Sequence, residues 1–421
     1  MARVIKKKDA AVSSETLNKF AALTDSFKSE DAILIDEDYT ERYFPTGSIV
    51  FDEVLKLKGM PFGGRVVHIH GKEHGGKSTI CYSIVGSYQR VLNQPAVIFD
   101  FEGTTTLEYL RAVGVNTSRN LLAVFKVTDI EDCIKKAIEY MEAGVKLFVF
   151  DSIPKMKSMY DKKDIKSGAA FKASVGEHAR TMVRFFDILG PYAMKHDCLF
   201  LMVNQIRARI DGSQEAMLAQ KYPSYTNLPY VLPGGNSVRY VPSLMLEVNV
   251  QKALKGATDD PFLMEPEPEE NSAKKVVATR VKVRVLKNKV TMGSYREYPI
   301  YLRTGKGLDD WISVRELARH YGLIRNKGAR YLVGKEEEPI MMYENKEAAI
   351  KDLVLDQNLE VLTRLRELLV EVIREDESNT FNTQLTEAER FLIGDLEDIK
   401  KSSDEDDEID MSALTPEEED F

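Results

Sequence analysis

The chain has 421 residues, of which 43% are apolar and 30% are charged, as expected for a globular protein of two or three domains. No apolar run approaches the roughly 18–20 residues of a membrane span, and the basic start lacks the apolar stretch of a signal peptide. Three scattered cysteines and six histidines without metal-ligand spacing argue against a disulfide framework and a zinc site. Together these features predict a cytoplasmic protein without a membrane partner.

The net charge of −9 is concentrated at the C-terminus. Residues 404–421 hold ten acidic residues and no basic residue, so that the other 403 residues carry a net charge of about +1. A second acidic patch at residues 259–270 leaves the remaining body mildly basic. Charge runs of one sign are typical of disordered tails. We therefore expect residues 398–421 to be an acidic tail that can compete with an anionic polymer for the basic surface.

The first predicted element is an N-terminal helix. Apolar side chains recur at helical spacing between residues 9 and 32, inside an arm formed by residues 1–45. This helix could decorate the core, or it could dock on a neighbouring copy of the chain. The pattern alone leaves both interpretations open.

A glycine-rich loop follows the first apolar strand of the core. Residues 66–70 are apolar or histidine, residues 71–79 fit the pattern G-x-x-x-x-G-K-[ST], and residues 80–85 begin a helix. In this context backbone N–H groups surround phosphates, the lysine reaches the β- and γ-phosphates, and the serine hydroxyl binds Mg²⁺. The alternative is a glycine-rich turn that matches by chance. The predicted nucleotide-binding residues are Gly71, Lys72, Glu73, His74, Gly75, Gly76, Lys77, Ser78 and Thr79.

Three more apolar runs follow at intervals of about 40–50 residues, at 96–100, 146–151 and 198–204. Helical patterns at 130–142 and 177–194 lie between them. Continuous apolar strands that alternate with helices predict a mostly parallel sheet covered by helices on both faces. Ligands of such sheets bind at the carboxyl ends of the strands.

Two carboxylates are predicted at these strand ends. Asp151 ends an apolar strand, where a carboxylate can orient Mg²⁺ through water. Glu102 lies two residues beyond Asp100, in a loop that is a suitable origin for the carboxylate that NTP hydrolysis needs near the attacking water. From its position alone, Glu102 could equally be a solvated loop residue.

The pattern changes beyond residue 289. The predicted elements are a strand at 298–303, a helix at 312–321, a short strand at 331–333, and helices at 346–355 and 359–374. We interpret residues 46–310 as an α/β core that contains the nucleotide site and residues 311–397 as a small C-terminal α/β domain.

Over roughly residues 10–400, the chain resembles the RecA recombinases of bacteria and their viruses. The motif Asn204-Gln205-Ile206-Arg207, then Gly234-Gly235-Asn236, then Lys287-Asn288-Lys289, is more specific than the phosphate loop. The resemblance implies a RecA-like fold that uses ATP and Mg²⁺. The similar segments are residues 46–48 with Asp52, 71–79, 99–102, 149–152, 203–207, 233–236 and 286–289.

The resemblance also implies roles for single residues. Glu102 matches the catalytic glutamate, Tyr109 the tyrosine that stacks on adenine, and Gln205 the glutamine that senses the γ-phosphate. Lys287 and Lys289 match lysines that reach the nucleotide of a neighbouring subunit, where they would supply positive charge in trans. Two lysines at i and i+2 on a strand point to one face, where their mutual repulsion favours an anionic partner. Without the resemblance, these lysines could instead form a solvated edge.

Two long loops are predicted to bind DNA. The first, residues 154–175, carries six lysines against two aspartates, and the second, residues 207–236, combines basic residues with tyrosines. Solvated loops are the alternative, but long loops inside compact domains are usually functional. The predicted contacts of the second loop are Arg207, Arg209, Gly234, Gly235 and Asn236. The resemblance supports Arg207 and adds Arg180, Lys282 and Arg284.

The chain departs from the family pattern at several places. Both DNA loops are longer than usual, and an acidic insert at residues 258–270 precedes Lys282. Asp187 lies near the place of a family arginine. Thr106 replaces the aspartate that contacts adenine, which predicts a looser nucleotide preference.

These observations predict an ATP-dependent DNA recombinase. Such a protein forms a helical filament on single-stranded DNA, pairs it with homologous duplex DNA, and exchanges strands while it hydrolyses ATP to ADP and phosphate. Two alternatives remain at this point: a hexameric helicase-type motor on the same core fold, and a DNA-coating scaffold with a degenerate nucleotide site. Electron microscopy distinguishes filaments from rings, and a DNA-stimulated ATPase assay distinguishes an enzyme from a scaffold.

Overall fold

The computed structural model describes residues 18–20, 22, 41–157, 176–209, 224–255, 262–263, 276–291 and 295–376. The chain divides into two units, Met1–Arg42 and Tyr43–Phe421. In the first unit, residues 18–20 and 22 are helical, and the rest of the predicted helix lies outside the described residues. Most of the first DNA loop, the middle of the second loop, most of the acidic insert and the whole acidic tail also lie outside them.

The second unit alternates strands with helices. The strands are β1 (Tyr43–Phe44), β2 (Met60–Pro61), β3 (Arg65–Gly71), β4 (Ala96–Asp100), β5 (Leu122–Lys126), β6 (Leu147–Asp151), β7 (Leu199–Gln205), β8 (Arg207–Ala208), β9 (Tyr230–Val231), β10 (Leu244–Lys255), β11 (Val276–Asn288), β12 (Glu297–Arg303), β13 (Gly307–Leu308), β14 (Ile324–Lys327), β15 (Arg330–Gly334) and β16 (Pro339–Tyr343). The α-helices are α1 (Lys77–Leu92), α2 (Leu107–Ala112), α3 (Ile130–Glu142), α4 (Glu177–Lys195), α5 (Ser237–Tyr240), α6 (Asp310–His320), α7 (Lys346–Ile350) and α8 (Leu359–Glu375). Shorter helical turns lie at Val50–Val54, Ile153–Lys155 and Lys351–Leu355.

Nine strands form the central sheet, in the order β13-β12-β11-β10-β3-β7-β6-β4-β5. The six strands from β10 to β5 are parallel, and β11, β12 and β13 continue the sheet in antiparallel fashion. The predicted mostly parallel α/β fold is thereby confirmed. The prediction lacks β5, a half-buried strand of five residues at the edge of the sheet.

The central sheet is buried on both faces, as its continuous apolar strands require. On one face, Val67 of β3 belongs to the same core as Ile80 of α1. On the other face, Phe99 and Phe150 stack with their ring centroids 5.4 Å apart, and Phe185 of α4 packs edge-on against Phe150 at 5.1 Å. The helices on the two faces hold the strand ends in fixed register. Among the described residues, no helix is both long and apolar enough to cross a membrane.

The C-terminal elements form a three-stranded antiparallel sheet, in the order β14-β15-β16, with α6, α7 and α8. The helices agree with the predicted ones, whereas β14 and β16 are missing from the prediction because they are short and partly exposed. The α8 face that carries Leu362, Leu365 and Leu369 is buried in the core. The limits of this domain at residues 311 and 397 stay a prediction.

Arg315 of α6 ties the acidic insert to the small domain. Its side chain is fully buried, and its Nε donates to the carbonyl oxygen of Phe262 at 2.7 Å. Its Nη1 donates to Leu353 O at 3.2 Å. The Phe262 ring is 1% exposed and stacks on Tyr331 with centroids 5.6 Å apart. The insert between β10 and β11 is therefore anchored at Phe262.

Buried carboxylates fix the segment that precedes the phosphate loop. Asp52 accepts hydrogen bonds from the Thr46 backbone N–H at 3.1 Å and from its hydroxyl at 2.7 Å. Asp310 accepts from the backbone N–H of Ile49 at 2.7 Å and from Nε of Arg366 at 3.0 Å. These hydrogen bonds therefore hold the Thr46-Gly47-Ser48 segment in place.

The titration of Asp52 is expected to affect stability. Burial raises the pKa of Asp52 from 3.8 to about 7, and the hydrogen bonds from Thr46 oppose this shift. Because the folded-state pKa is the higher one, the contribution to stability is fully present below about pH 4 and is lost as the pH rises through about 7. The difference in the free energy of unfolding between wild type and Asp52→Asn should change by roughly 1.4 kcal/mol per pH unit in this window. Thermal unfolding of both proteins at several pH values measures it, and a constant difference would contradict the assignment.

Candidate functional site

The loop Gly71–Thr79 has the predicted strand–loop–helix context, between β3 and α1. A Cβ on Gly71 would lie 2.1 Å from the carbonyl oxygen of Val248, so only glycine fits there. Gly76 has φ +81°, in the left-handed region, and a Cβ on it would overlap Leu302. Lys72, Glu73 and His74 form the exposed outer turn of the loop, and Gly75 is buried. Because glycine has no side chain, phosphates could approach the backbone closely at these positions.

Lys77 lies inside this loop and is 6% exposed. Its Nζ donates to the carbonyl oxygen of Lys72 at 2.5 Å. Burial lowers the pKa of Lys77, and the negative charges of Asp151 and Glu102 oppose this shift. The ammonium group can donate two further hydrogen bonds, which phosphate oxygens would accept.

Asp151 and Ser78 lie side by side next to the loop. The buried carboxylate of Asp151 accepts hydrogen bonds from Ser78 and, at 2.9 Å, from the Tyr82 hydroxyl. Burial raises the pKa of Asp151 to about 6, and both hydrogen bonds oppose this shift. Mg²⁺ prefers oxygen ligands and retains several waters, so one hydroxyl and one carboxylate fit it. Among the described residues no group of three or more His, Cys, Asp or Glu could hold a metal alone, so phosphate oxygens and water would complete its shell.

Asp100 builds the loop that carries Glu102. Its carboxylate, 1% exposed, accepts from the backbone N–H groups of Glu102 at 3.0 Å, Gly103 at 2.7 Å and Thr105 at 2.9 Å. This role of Asp100 was not predicted beyond its position at the end of a strand. The signal available in the sequence was an aspartate at the end of an apolar run, two residues before Glu102.

Glu102 contacts two other residues of the candidate site. Its Oε1 accepts from Oγ of Ser152 at 2.6 Å and from Nε2 of Gln205 at 3.2 Å. The side chain is otherwise exposed. The structure therefore brings together a carboxylate that could take a proton from water, the loop lysine, and the predicted sensor Gln205. The role of Ser152 was not predicted, because it follows from the proximity of β4 and β6.

Tyr109 stands beside the phosphate loop on α2. Its hydroxyl is 2.5 Å from Oγ1 of Thr79, and its ring lies edge-on to Tyr82 with centroids 6.2 Å apart. The side chain is 37% exposed, so a base could stack on the ring. Thr106 accepts from the Tyr109 backbone N–H at 3.1 Å and caps α2.

The turn Gly234-Gly235 holds the end of the second loop against the core. Both glycines have positive φ, and a Cβ on Gly235 would lie 2.5 Å from Cβ of Ala179 in α4. The Asn204 side chain, fully buried on β7, donates to the carbonyl oxygen of Pro233 at 2.9 Å. Asn236 is exposed beside the turn. The strand that carries Gln205 is thus bonded to the second loop.

Lys287 and Lys289 lie in different environments. Lys287 is 3% exposed, and its Nζ donates to the carbonyl oxygens of Arg239 at 2.9 Å and Tyr240 at 2.7 Å. It also lies 5.0 Å from the ring centroid of Tyr225. Burial, followed by the charge of Lys289, lowers the pKa of Lys287 to about 8. Lys289 lies beyond the end of β11 and is exposed, so the two lysines differ in burial, and the expectation that they share one face stays a prediction.

The predicted DNA-contacting cations also differ from one another. Arg180 and Arg207 are exposed, and Arg209 donates to Leu228 O at 3.4 Å. Lys282 and Arg284 on β11 both pair with Glu297, at 3.0 and 2.5 Å. Arg284 also lies 3.5 Å from Glu247. Lys282 and Arg284 are therefore already paired with carboxylates of the neighbouring strands.

Comparisons with known proteins identify a family for the chain. A family model described as the RecA N-terminal domain matches residues 31–309. The chain is 27% identical to Protein RecA of Borrelia duttonii over 342 residues, 79% of this chain and 82% of the relative. It is 27% identical to Protein RecA of Syntrophus aciditrophicus over 297 residues, 69% and 75% of the two chains. For Protein RecA of Borreliella burgdorferi the identity is 26% over 355 residues, 82% and 85%.

The contact of Gly71 with the sheet predicts a position that tolerates no side chain. Gly71→Ala should destabilise the protein by about 1–3 kcal/mol and weaken nucleotide binding, because its Cβ would overlap the backbone of β10. Gly190→Ala is the matched control, since its Cβ would meet nothing within 4 Å. In a helix interior that change should stabilise by about 0.5–1 kcal/mol. Thermal unfolding and nucleotide titration measure both variants, and equal behaviour would contradict the steric argument.

Proposed function

The chain belongs to the RecA family of DNA recombination and repair proteins, and from this premise we propose that it is an ATP-dependent DNA recombinase. It assembles as a helical filament on single-stranded DNA, pairs that strand with homologous duplex DNA, and exchanges the strands. The observation that carries the proposal is the contact between Glu102 and Gln205. It joins the candidate ATP-hydrolysing carboxylate to the strand that leads into the second DNA loop.

In the proposed hydrolysis, Glu102 accepts a proton from the attacking water. Ser152 orients the Glu102 carboxylate by a hydrogen bond, and Gln205 shares this carboxylate until a γ-phosphate is bound. Lys77 stabilises the charge that develops on the phosphate oxygens, because it is buried and held by the loop. Ser78 would bind Mg²⁺ through its hydroxyl and Asp151 would orient the ion through water, and the bound ion would neutralise phosphate charge.

The proposed coupling between ATP and DNA starts at Gln205. This residue ends β7, and β8 follows at once and pairs with β9 at the end of the second loop. A γ-phosphate competes with Glu102 for the Gln205 amide, so that ATP binding and hydrolysis change the position of the loop stem. The second loop therefore alternates between two positions that differ in their affinity for single-stranded DNA.

The contacts of the cations set the proposed DNA interactions. The exposed Arg180 and Arg207 neutralise DNA phosphates directly. Lys282 and Arg284 exchange Glu297 for DNA when duplex is captured, which makes this step dependent on salt. The exposed Lys289 is available to a neighbouring subunit, whereas Lys287 must first leave the carbonyl oxygens that it binds.

Glu102→Gln tests the catalytic assignment. The variant should bind ATP and DNA like the wild type, because the amide is isosteric, while its DNA-stimulated ATPase kcat should fall on the order of 10²–10⁴-fold. Glu108→Gln is the matched control, an exposed glutamate on α2 outside the contacts described above. Steady-state phosphate release measures both. Wild-type turnover in Glu102→Gln would remove its catalytic role.

Strand exchange between homologous substrates tests the function itself. With ATP the wild type should form filaments and exchange strands, and without ATP it should not. Lys77→Ala should abolish nucleotide-dependent filaments, since no other buried cation among the described residues of the loop replaces it. Electron microscopy and gel assays follow the two events. Closed rings would favour a helicase-type motor, and DNA coating without ATP turnover would favour a scaffold.

A further inference from the structure

A row of polar side chains crosses the sheet next to the phosphate loop. The register pairs His70 with Asn204 on one side and with Glu247 on the other. Glu247 is paired in turn with Arg284, and Arg284 with Glu297. Residues directly opposite each other in a sheet point to the same face. These five side chains, which we call the polar row, therefore lie side by side on β7, β3, β10, β11 and β12.

Tyr230 of the second loop bonds to the middle of the polar row. Its hydroxyl lies 2.9 Å from Nε2 of His70 and is also hydrogen-bonded to the Glu247 carboxylate. His70, Glu247 and Tyr230 are all buried, with exposures of 0, 5 and 7%. Burial, followed by the charges of His68 and Lys77, holds the pKa of His70 well below its usual range, so the ring is neutral. The assignment that gives each proton an acceptor has Tyr230 donating to Glu247 and accepting from His70.

The polar row adjoins the phosphate loop and also contacts the end of the second DNA loop. His70 immediately precedes Gly71, the first residue of the phosphate loop. Tyr230 lies on β9, opposite Ala208 of β8, and Asn204 of the same row bonds to Pro233 O. The end of the second loop is therefore held at two points by residues of the polar row.

We infer that His70 and Tyr230 are positioning residues that couple the phosphate loop to the second DNA loop. This inference rests on the proposed function and adds a second route beside the contact of Gln205 with Glu102. A shift at the end of β3 moves His70, and the Tyr230 hydroxyl passes that shift to the loop stem. Coupling of this kind requires a contiguous contact with two arrangements, and a mutational cycle is its direct test.

Tyr230→Phe removes the hydroxyl and keeps the ring. The experiment measures the affinity of each protein for a single-stranded oligonucleotide by fluorescence anisotropy, with and without a non-hydrolysable ATP analogue. In Tyr230→Phe the gain in DNA affinity caused by the analogue should fall about tenfold, as expected for the loss of a hydrogen bond to a charged group. The affinity for the analogue measured without DNA should stay unchanged, and a general loss of stability would not leave this affinity intact while reducing the gain.

Tyr88→Phe is the matched control for this change. Tyr88 is also buried, and its hydroxyl donates to Gln94 Oε1 at 3.1 Å, outside the polar row. Its nucleotide-dependent gain should equal that of the wild type. A loss of gain in Tyr88→Phe as large as in Tyr230→Phe would overturn the inference.

Two variants of His70 complete the test. His70→Gln keeps a side-chain donor and should retain most of the gain, whereas His70→Leu should lose it. The double variant His70→Leu/Tyr230→Phe should lose no more than either single variant, and multiplicative losses would overturn the shared route. A wild-type protein without any nucleotide-dependent gain would refute the proposed function as well. A full gain in both wild type and Tyr230→Phe would overturn the inference alone.

Discussion

The candidate site depends on how charged groups are buried at the carboxyl edge of the parallel sheet. The register places Asp100 opposite Asp151, and Gly71 opposite Gln205. A buried carboxylate is stable only when it accepts hydrogen bonds, and the donors that each carboxylate contacts indicate its role. Asp100 is occupied by three backbone N–H groups and shapes a loop, while Asp151 has hydroxyl donors that a metal could share. Glu102, at the exposed mouth, is the acid best placed to exchange a proton with water.

The parts of this arrangement that could be predicted are those encoded locally. The glycine pattern and the apolar runs predicted the loop, the strands β3, β4, β6 and β7 in chain order, and the mostly parallel sheet, but not the 12-residue strand β10. The short strands β5, β14 and β16 were missed because partly exposed segments of four or five residues carry a weak periodic signal. Contacts that arise from strand register, such as that of Ser152 with Glu102, join residues far apart in sequence and could not be anticipated from one chain.

The lysines show how context changes the meaning of a motif. The segment Lys287-Asn288-Lys289 suggested two equivalent cations, but β11 ends between them and only Lys289 is exposed. Likewise, the basic pattern of β11 gave no sign that Glu297 and Glu247 stand beside Lys282 and Arg284. A cation in an ion pair offers less to DNA than an unpaired one, since the existing partner must be displaced.

The anchoring of Phe262 by Arg315 has a mechanical consequence for the insert between β10 and β11. These contacts tie the position of Phe262 to that of the small domain. A ligand that displaces one of them must either carry the other along or break the carbonyl contacts of a fully buried guanidinium group.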